Sequence, residues 1–439
     1  MNFTESKKLQ DKSHSIVPGG CHTYAKGDDQ YPVLAPGFIE RGKGCHIWDP
    51  DGNEYIEYGM GCRAVTLGHA YPEVLEAAQL QMRRGINFVR PSPIEVECAE
   101  ALLTLIDGAD MVKFTKDGSS ATTAAVKLAR AHTGRDLIAL CGDHPFFSSD
   151  DWFIGTTTMD AGIPEAVKNL SLTFRFGDIE SVREIFDKHP GKIAGLIMEP
   201  RGDDENETKI FLQEVHRLCR ENSTVFILDE ILTGFRWHEK GAQHLYKVVP
   251  DLSTFGKAFA NGFSVSALAG KREIMELGGL DHDRKRVFLL SSTHGAENHA
   301  LGAAIATMRI YQKKPVVETL HKRGKRLSTG ITQIVEAHGL DDYVQIYGRP
   351  CMLFFAARDQ ERKRSQSFRS LLLQETVRRG VLMPSLTVSY SHSNEDIDKT
   401  IDAVDKALPV YKAALEGGVD RFLVGRPSQI VFSKRTSQP

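Results

Sequence analysis

The sequence lacks the features that mark membrane, secreted and nucleic-acid-binding proteins. Its 439 residues contain no run of about 18 uncharged apolar residues, so we predict no membrane-spanning helix. The 55 basic and 57 acidic side chains nearly cancel, and a net charge of −2 provides no basic surface for nucleic acid or anionic lipid. The first residues, MNFTESKKLQDKSHS, hold no apolar segment, so a secretory signal is not expected.

Cysteine is sparse and scattered. None of the seven cysteines stands in a C-x-x-C pair, which argues against a zinc ribbon, and no metal site is predicted. An odd number of isolated cysteines in a long chain is typical of free thiols in a reducing compartment. We therefore expect a cytoplasmic protein.

The chain is too long for one ordinary core, and its texture changes along its length. We predict an N-terminal segment (1–65) that joins a small domain, a large domain (66–312) and a C-terminal small α+β domain (313–439). The last residues, Arg435–Pro439, are expected to be disordered.

Short apolar runs alternate with helical patterns in the middle of the chain. Two of them, IAGLIMEP (193–200) and TVFILDE (224–230), are typical of strands buried on both faces. The pattern predicts an α/β fold with a mainly parallel sheet covered by helices. Because ligands bind beyond the carboxyl ends of such strands, we expect a site near Glu199, Asp229 and Glu230.

A small-residue segment begins one of the predicted helices. Gly118, Ser119 and Ser120 stand where backbone N–H groups are unpaired and the helix dipole favours an anion. Glycine permits close approach, and serine hydroxyls donate to phosphate oxygens. The alternative is that Ser119 or Ser120 simply caps the helix.

A carboxylate and a lysine complete the pattern. Asp229 follows apolar residues and needs a cationic partner, either a protonated pyridine nitrogen or the charge of a lysine or arginine. Lys257 has no carboxylate within five residues on either side. In an apolar pocket its amine loses its proton and attacks aldehydes to form a Schiff base, whereas a solvated loop lysine does not. Together with the anion site, these residues match the ring nitrogen, aldehyde and phosphate of pyridoxal 5′-phosphate.

The same residues carry a family resemblance. The segments FILDEILTGFRW and PDLSTFGKAFANGFSVSALAG resemble the class III (fold-type I) aminotransferases, in which D-E-x-x-T-G-F-R is followed by P-D-L and G-K. VPGGCHTY, the stretch from Gly44 to Val74, and NEDIDKTIDAV resemble the glutamate-1-semialdehyde 2,1-aminomutase branch. The resemblance covers nearly the whole chain and implies the fold-type I architecture.

The resemblance implies specific roles. Lys257 would form the Schiff base with pyridoxal phosphate and shuttle the proton, and Asp229 would pair with the ring nitrogen. Gly118 and Ser119 would hold the phosphate, with Ser120 close by. These assignments make Lys257 and Asp229 the predicted catalytic residues.

Further implied residues surround the ring. Thr293, in SSTHGAEN, corresponds to the threonine that the family offers to the phosphate of the neighbouring subunit, which implies a homodimer with a shared active site. Glu199 would contact the substrate side or the ring hydroxyl. His144 would stack on the ring, and Phe146 is the alternative.

Departures from the family pattern bear on the substrate. The phosphate loop reads Lys116–Ser120, K-D-G-S-S instead of N-S-G-T-E. Residues 21–26 lack the aminomutase arginine for a substrate carboxylate, and no glutamate precedes Glu395 in the C-terminal loop. Arg349 is either a carboxylate clamp or a structural arginine.

We therefore predict an enzyme that moves an amino group from a small-molecule donor to an aldehyde or ketone, such as a sugar-like or secondary-metabolite carbonyl. The alternatives are a glutamate-1-semialdehyde 2,1-aminomutase and a non-catalytic scaffold with the same fold.

Overall fold

The computed structural model describes residues 1–201 and 204–431, so the predicted disorder of Arg435–Pro439 lies outside the described residues. The strands are β1 (Arg41–Lys43), β2 (His46–Trp48), β3 (Glu54–Glu57), β4 (Met111–Thr115), β5 (Leu137–Cys141), β6 (Ser171–Phe174), β7 (Ile193–Met198), β8 (Val225–Asp229), β9 (Leu252–Phe255), β10 (Ser266–Gly270), β11 (Val344–Arg349), β12 (Met352–Ala357) and β13 (Val381–Leu382). The helices are α1 (Thr4–Ile16), α2 (Met60–Arg63), α3 (Pro72–Arg84), α4 (Pro93–Leu105), α5 (Gly118–Thr133), α6 (Asp151–Ile154), α7 (Glu165–Lys168), α8 (Ile179–Lys188), α9 (Glu205–Glu221), α10 (Ala242–Tyr246), α11 (Arg272–Met275), α12 (Asn298–Lys313), α13 (Val316–Ala337), α14 (Gln366–Val377) and α15 (Asn394–Gly417).

The described residues divide into two compact units. The first, called unit 1, contains Met1–Tyr71 and Glu318–Val431, and the second, called unit 2, contains Pro72–Val317. None of the described helices combines the length and apolar composition needed to cross a lipid bilayer.

A seven-stranded sheet forms the centre of unit 2, in the order β4-β10-β9-β8-β7-β5-β6. Neighbours from β9 to β6 are parallel, and β10 runs antiparallel to both β9 and β4. Every residue of β7 and of β8 is buried, as expected for apolar strands covered on both faces. The predicted mainly parallel sheet is therefore present.

Strand direction brings distant segments to one edge of this sheet. Because β4, β7, β8 and β9 all point the same way, the residues that follow them share that edge. These residues are the Lys116–Ser120 loop after β4, Glu199 after β7, and Lys257 shortly after β9. Asp229 is itself the last residue of β8.

Unit 1 contains two smaller sheets. One has the order β1-β2-β3-β13, in which β13, near the C-terminus, pairs in parallel with β3. A hairpin turn lies between β2 and β3, where the Asp49 carboxylate accepts hydrogen bonds from the N–H groups of Asp51 and Asn53. The other sheet is the antiparallel pair β11-β12.

Candidate active site

Asp229 is the central carboxylate of the site. It is 3% exposed, and its Oδ1 accepts hydrogen bonds from the Ile231 N–H (2.9 Å) and the Thr254 hydroxyl (3.0 Å). Burial raises the pKa of Asp229 to about 6, although these hydrogen bonds and the charge of Lys257 act in the opposite direction. The carboxyl group is therefore held in one orientation but lacks enough positive charge to stay fully ionised.

Thr254 was not among the predicted residues. It lies directly opposite Asp229 in the β8–β9 register, so its side chain points to the same side of the sheet. The sequence marks Thr254 only as a hydroxyl residue within the buried strand LSTF, three positions before Lys257.

Lys257 is half-buried and begins a short 3₁₀ turn, Lys257–Ala260, with φ of +46°. Positive φ is uncommon for a residue with a side chain and occurs often at functional sites. The preceding Gly256 leaves no room for a Cβ, which would lie 2.6 Å from Ser266 Oγ. The electrostatic effect of Lys257 on Asp229 means that lysine supplies positive charge beside the carboxylate.

Glu230, the neighbour of Asp229, has a different part in the structure. Its fully buried carboxylate accepts hydrogen bonds from the Thr233 hydroxyl (2.5 Å) and from the N–H groups of Ala242 (2.9 Å) and Gln243 (2.6 Å). Burial raises the pKa of Glu230 to about 7. Glu230 thus fixes the start of α10, whereas Asp229 remains available to a ligand.

The Lys116–Ser120 loop leads into α5, and Asp117 is its N-cap residue. The Asp117 carboxylate accepts a hydrogen bond from the Ser120 N–H at 2.8 Å, so neither Ser119 nor Ser120 is the cap. The Ser119 hydroxyl accepts from the Ser149 N–H at 3.1 Å. Among the described residues no acceptor binds the N–H groups of Gly118 and Ser119, which remain free to bind an anion at the start of the helix.

Gly118 connects this helix start to the Asp229 site. A Cβ at Gly118 would lie 2.5 Å from Ile231 Cδ1, so any larger residue would displace the Ile231 side chain. Because the Ile231 N–H binds Asp229, the anion-binding helix start and the carboxylate are held against the same residue.

A partly buried ion pair joins the loop to a remote segment. Lys116 Nζ contacts Glu297, whose other carboxylate oxygen lies 3.1 Å from His294 Nδ1, and the Lys116 hydrogen bond lowers the pKa of Glu297. The Ser264 hydroxyl donates to the Lys116 carbonyl at 2.8 Å. Sequence analysis missed this pair, although Lys116 stands where the related family has asparagine.

Thr293 lies in the same segment, four positions before Glu297, and its position is exposed. Its carbonyl accepts a hydrogen bond from the Asn87 side chain at 2.8 Å. Segment 293–297 is therefore tied to the rest of unit 2 at both ends. The contact of Thr293 with a second subunit stays a prediction.

His144 and Glu199 form a buried pair. The distance from His144 Nδ1 to Glu199 Oε2 is 2.5 Å, and the side chains are 8% and 7% exposed. The His144 ring centroid lies 4.3 Å from that of Phe147. Phe146 is 43% exposed and packs edge-on against Phe153. The stacking of either ring on a cofactor stays a prediction.

These groups fit pyridoxal phosphate by their chemistry. The half-buried amine of Lys257 suits an aldehyde, and the buried carboxylate of Asp229 suits a protonated ring nitrogen. The N–H groups of Gly118 and Ser119 suit a phosphate. All of these residues belong to unit 2.

Comparison with known proteins gives a consistent result. A family model described as aminotransferase class III matches residues 24–408. The chain is 30% identical to the glutamate-1-semialdehyde 2,1-aminomutase of Alkaliphilus metalliredigens over an alignment 434 positions long, which covers 93% of this chain and 97% of that protein. It is also 30% identical to the 3-aminobutyryl-CoA aminotransferase of Cloacimonas acidaminovorans, over 94% of this chain and 99% of that protein.

A solved structure of similar shape is the PLP internal aldimine form of the FumI protein from Sphingopyxis sp. MTA144. It has a TM-score of 0.86 and 28% identity, with coverage of 97% of this chain and 99% of that chain.

Proposed function

The chain belongs to the class III aminotransferase family, and we propose that it transfers an amino group from a small-molecule amine to an aldehyde or ketone. The predicted fold-type I architecture and the dependence on pyridoxal phosphate are confirmed by the family and by its solved relatives. When bound, pyridoxal phosphate supplies an aldehyde for the amine and a ring that accepts electrons. The observation that carries the proposal is the buried Asp229 at the end of β8, with Lys257 shortly after the end of the neighbouring parallel strand β9.

We assign the proton chemistry to these two residues. Lys257 holds the cofactor's aldehyde carbon and moves a proton to and from the substrate carbon through its amine. Asp229 keeps the proton on the ring nitrogen, since an ionised carboxylate stabilises that cation. Thr254 orients Asp229 for this contact.

The remaining predicted residues would hold the cofactor in place. In this proposal the N–H groups of Gly118 and Ser119 bind the phosphate near Ser120, and Thr293 of a second copy completes the site in a homodimer. His144 would face the ring, and Glu199 holds the imidazole in its orientation by the close contact at Nδ1.

The substrate assignment depends on two segments of the sequence. Residues 21–26 contain no arginine, and no carboxylate lies between Pro384 and Ser393. The absence of both charged groups supports an uncharged, polar carbonyl acceptor, for example a sugar-like one, over glutamate-1-semialdehyde.

The relatives by themselves do not distinguish the two reactions, because an aminotransferase and an aminomutase are each 30% identical to the chain.

We predict that turnover requires an external amino donor, because a transaminase must be reloaded with amine in each cycle. The measurement is a screen of amines and amino acids for conversion of the lysine-bound cofactor's absorbance to that of the aminated cofactor, followed by assay with carbonyl acceptors. Rapid conversion of glutamate-1-semialdehyde without any donor would instead establish the aminomutase, and a colourless protein that borohydride does not alter would leave only the scaffold.

The Lys116–Glu297 pair should also matter for cofactor retention. Lys116→Met removes the ion pair that holds the phosphate loop against segment 293–297. We therefore expect the affinity for the cofactor to fall roughly tenfold, as for loss of a partly buried ion pair. The measurement is the dissociation constant of pyridoxal phosphate from cofactor-stripped protein, followed by quenching of tryptophan fluorescence.

Two variants sharpen this experiment. Lys113→Met removes an exposed lysine from β4, the strand that leads into this loop, and should leave the affinity unchanged. Glu297→Gln should weaken binding by a similar factor, and the double variant should be no worse than either single one, since coupled residues are non-additive. Equal affinities for wild type and Lys116→Met would contradict the positioning role.

A further inference from the structure

A group of side chains that could hold a metal ion lies in unit 1. Cys45, His46 and Asp396 offer one sulfur, one nitrogen and one oxygen atom that all lie within 4.8 Å of one another. Cys45 directly precedes β2, which contains His46, whereas Asp396 lies in the first turn of α15. The cluster thus connects two segments from opposite ends of the chain.

The separations suit a small tetrahedral ion. Cys45 Sγ lies 3.4 Å from Asp396 Oδ2, and His46 Nε2 lies 3.0 Å from Asp396 Oδ1. Ligands bound to zinc at about 2.0–2.3 Å are separated by roughly 3.3–3.5 Å in tetrahedral geometry. An ion therefore needs only small side-chain movements to bind all three.

Outer groups lie beside two of the ligands. His46 Nδ1, the nitrogen that faces away from the cluster, lies 2.8 Å from Glu54 Oε1 but makes no hydrogen bond of good geometry, so Glu54 places a carboxylate near the ring without fixing it. The N–H and hydroxyl of Ser393 both donate to Asp396 Oδ2, at 2.8 Å and 2.7 Å. These bonds leave Asp396 Oδ1 and His46 Nε2 facing each other.

The ligand types also indicate the kind of ion. The thiolate favours zinc or a similar transition metal over magnesium and calcium.

We propose that Cys45, His46 and Asp396 bind a divalent transition metal of the zinc type, with water as the fourth ligand, and that this ion clamps β2 to the start of α15. The bonds formed are metal–sulfur, metal–nitrogen and metal–oxygen, and the thiol proton is released to solvent. Sequence analysis predicted no metal site because Asp396 is 350 residues away from His46 along the chain and no spacing motif reveals it.

The test uses chelator-treated, full-length protein with its cofactor bound. Zinc is titrated in competition with a chromogenic zinc indicator, and thermal unfolding is followed with and without zinc. We expect about one zinc per chain, about one proton released per zinc, and a higher unfolding temperature with zinc present. Cys45→Ser and His46→Gln should each weaken zinc binding at least tenfold, on the order expected for loss of a ligand.

Matched controls separate this site from other thiols. Cys62→Ser removes an exposed cysteine of the same unit and should bind zinc as the wild type does. Circular dichroism checks that each variant is folded; if Cys45→Ser is not, His46→Gln and the half-exposed Glu54→Gln decide the matter. Wild type that binds no zinc, or folded ligand variants that bind it as tightly as wild type, would overturn the proposal.

Discussion

Lys257→Ala is expected to abolish amino transfer, with a loss of about 10⁴-fold or more, because one amine both holds the cofactor's aldehyde carbon and moves the substrate proton. The methyl side chain of alanine can perform neither step. The measurement combines the rate of amino transfer with the absorbance band near the visible edge that borohydride removes. Both should be absent from the variant.

A matched lysine provides the control. Lys271 pairs with Asp251 at 2.5 Å in the same unit, and Lys271→Ala removes an equal charge and chain length from another place. That variant should keep the reducible band and the activity. A Lys257→Ala protein that still forms the reducible band would show that another amine carries the cofactor, and the assignment would then be wrong.

The sequence predicted those parts of the site that leave a local mark. Asp229 ends an apolar strand, and Lys257 follows a glycine within a stretch that has no carboxylates, so each is unusual in its own neighbourhood. The parallel sheet was predictable for the same reason, since β7 and β8 are apolar throughout. The antiparallel insertion of β10 between β4 and β9 was not, because strand order depends on contacts between distant segments.

Partners across the sheet could not be predicted. Thr254 meets Asp229 through the β8–β9 register, and His144 meets Glu199 although they are far apart in sequence. A one-residue change of register would turn Thr254 to the other face, and composition does not specify register.

Adjacent polar residues posed a related difficulty. Asp229 and Glu230 look equivalent at the end of β8, but Glu230 binds the N–H groups that begin α10, a helix whose position only the fold determines. At the start of α5 the sequence offered Ser119 and Ser120 as caps, whereas the carboxylate of Asp117 forms the stronger, charge-assisted bond.

Asp229→Asn tests whether Asp229 keeps the cofactor ring protonated, so that the ring can accept electrons. We expect the rate of amino transfer to fall about 10²- to 10⁴-fold, because a neutral amide no longer stabilises the proton on the ring nitrogen. Lys257 is unchanged, so the reducible absorbance band should persist. Thr254→Val is the matched control: it removes one hydrogen bond to Asp229 but keeps the charge, and we expect a loss of about tenfold or less. Equal losses in both variants would mean that orientation, and not charge, is what Asp229 contributes.

The same substitution has a signature in stability that requires no turnover. In cofactor-free protein burial raises the pKa of Asp229 from its ordinary 3.8 to about 6, so the folded state binds the proton more tightly than the unfolded chain does. The stabilisation from Asp229 is therefore fully present below about pH 4 and is lost as the pH rises through 6.

Asparagine does not titrate, so the unfolding free energy of wild type minus that of Asp229→Asn should fall between pH 4 and pH 6 and level off above pH 7. Urea unfolding at each pH measures this difference. Glu230 is retained in both proteins and largely cancels from this difference. A difference that stays flat from pH 4 to pH 7 would show that Asp229 is already paired with a full positive charge before the cofactor binds, and its role as the partner of the ring nitrogen would lose its physical basis.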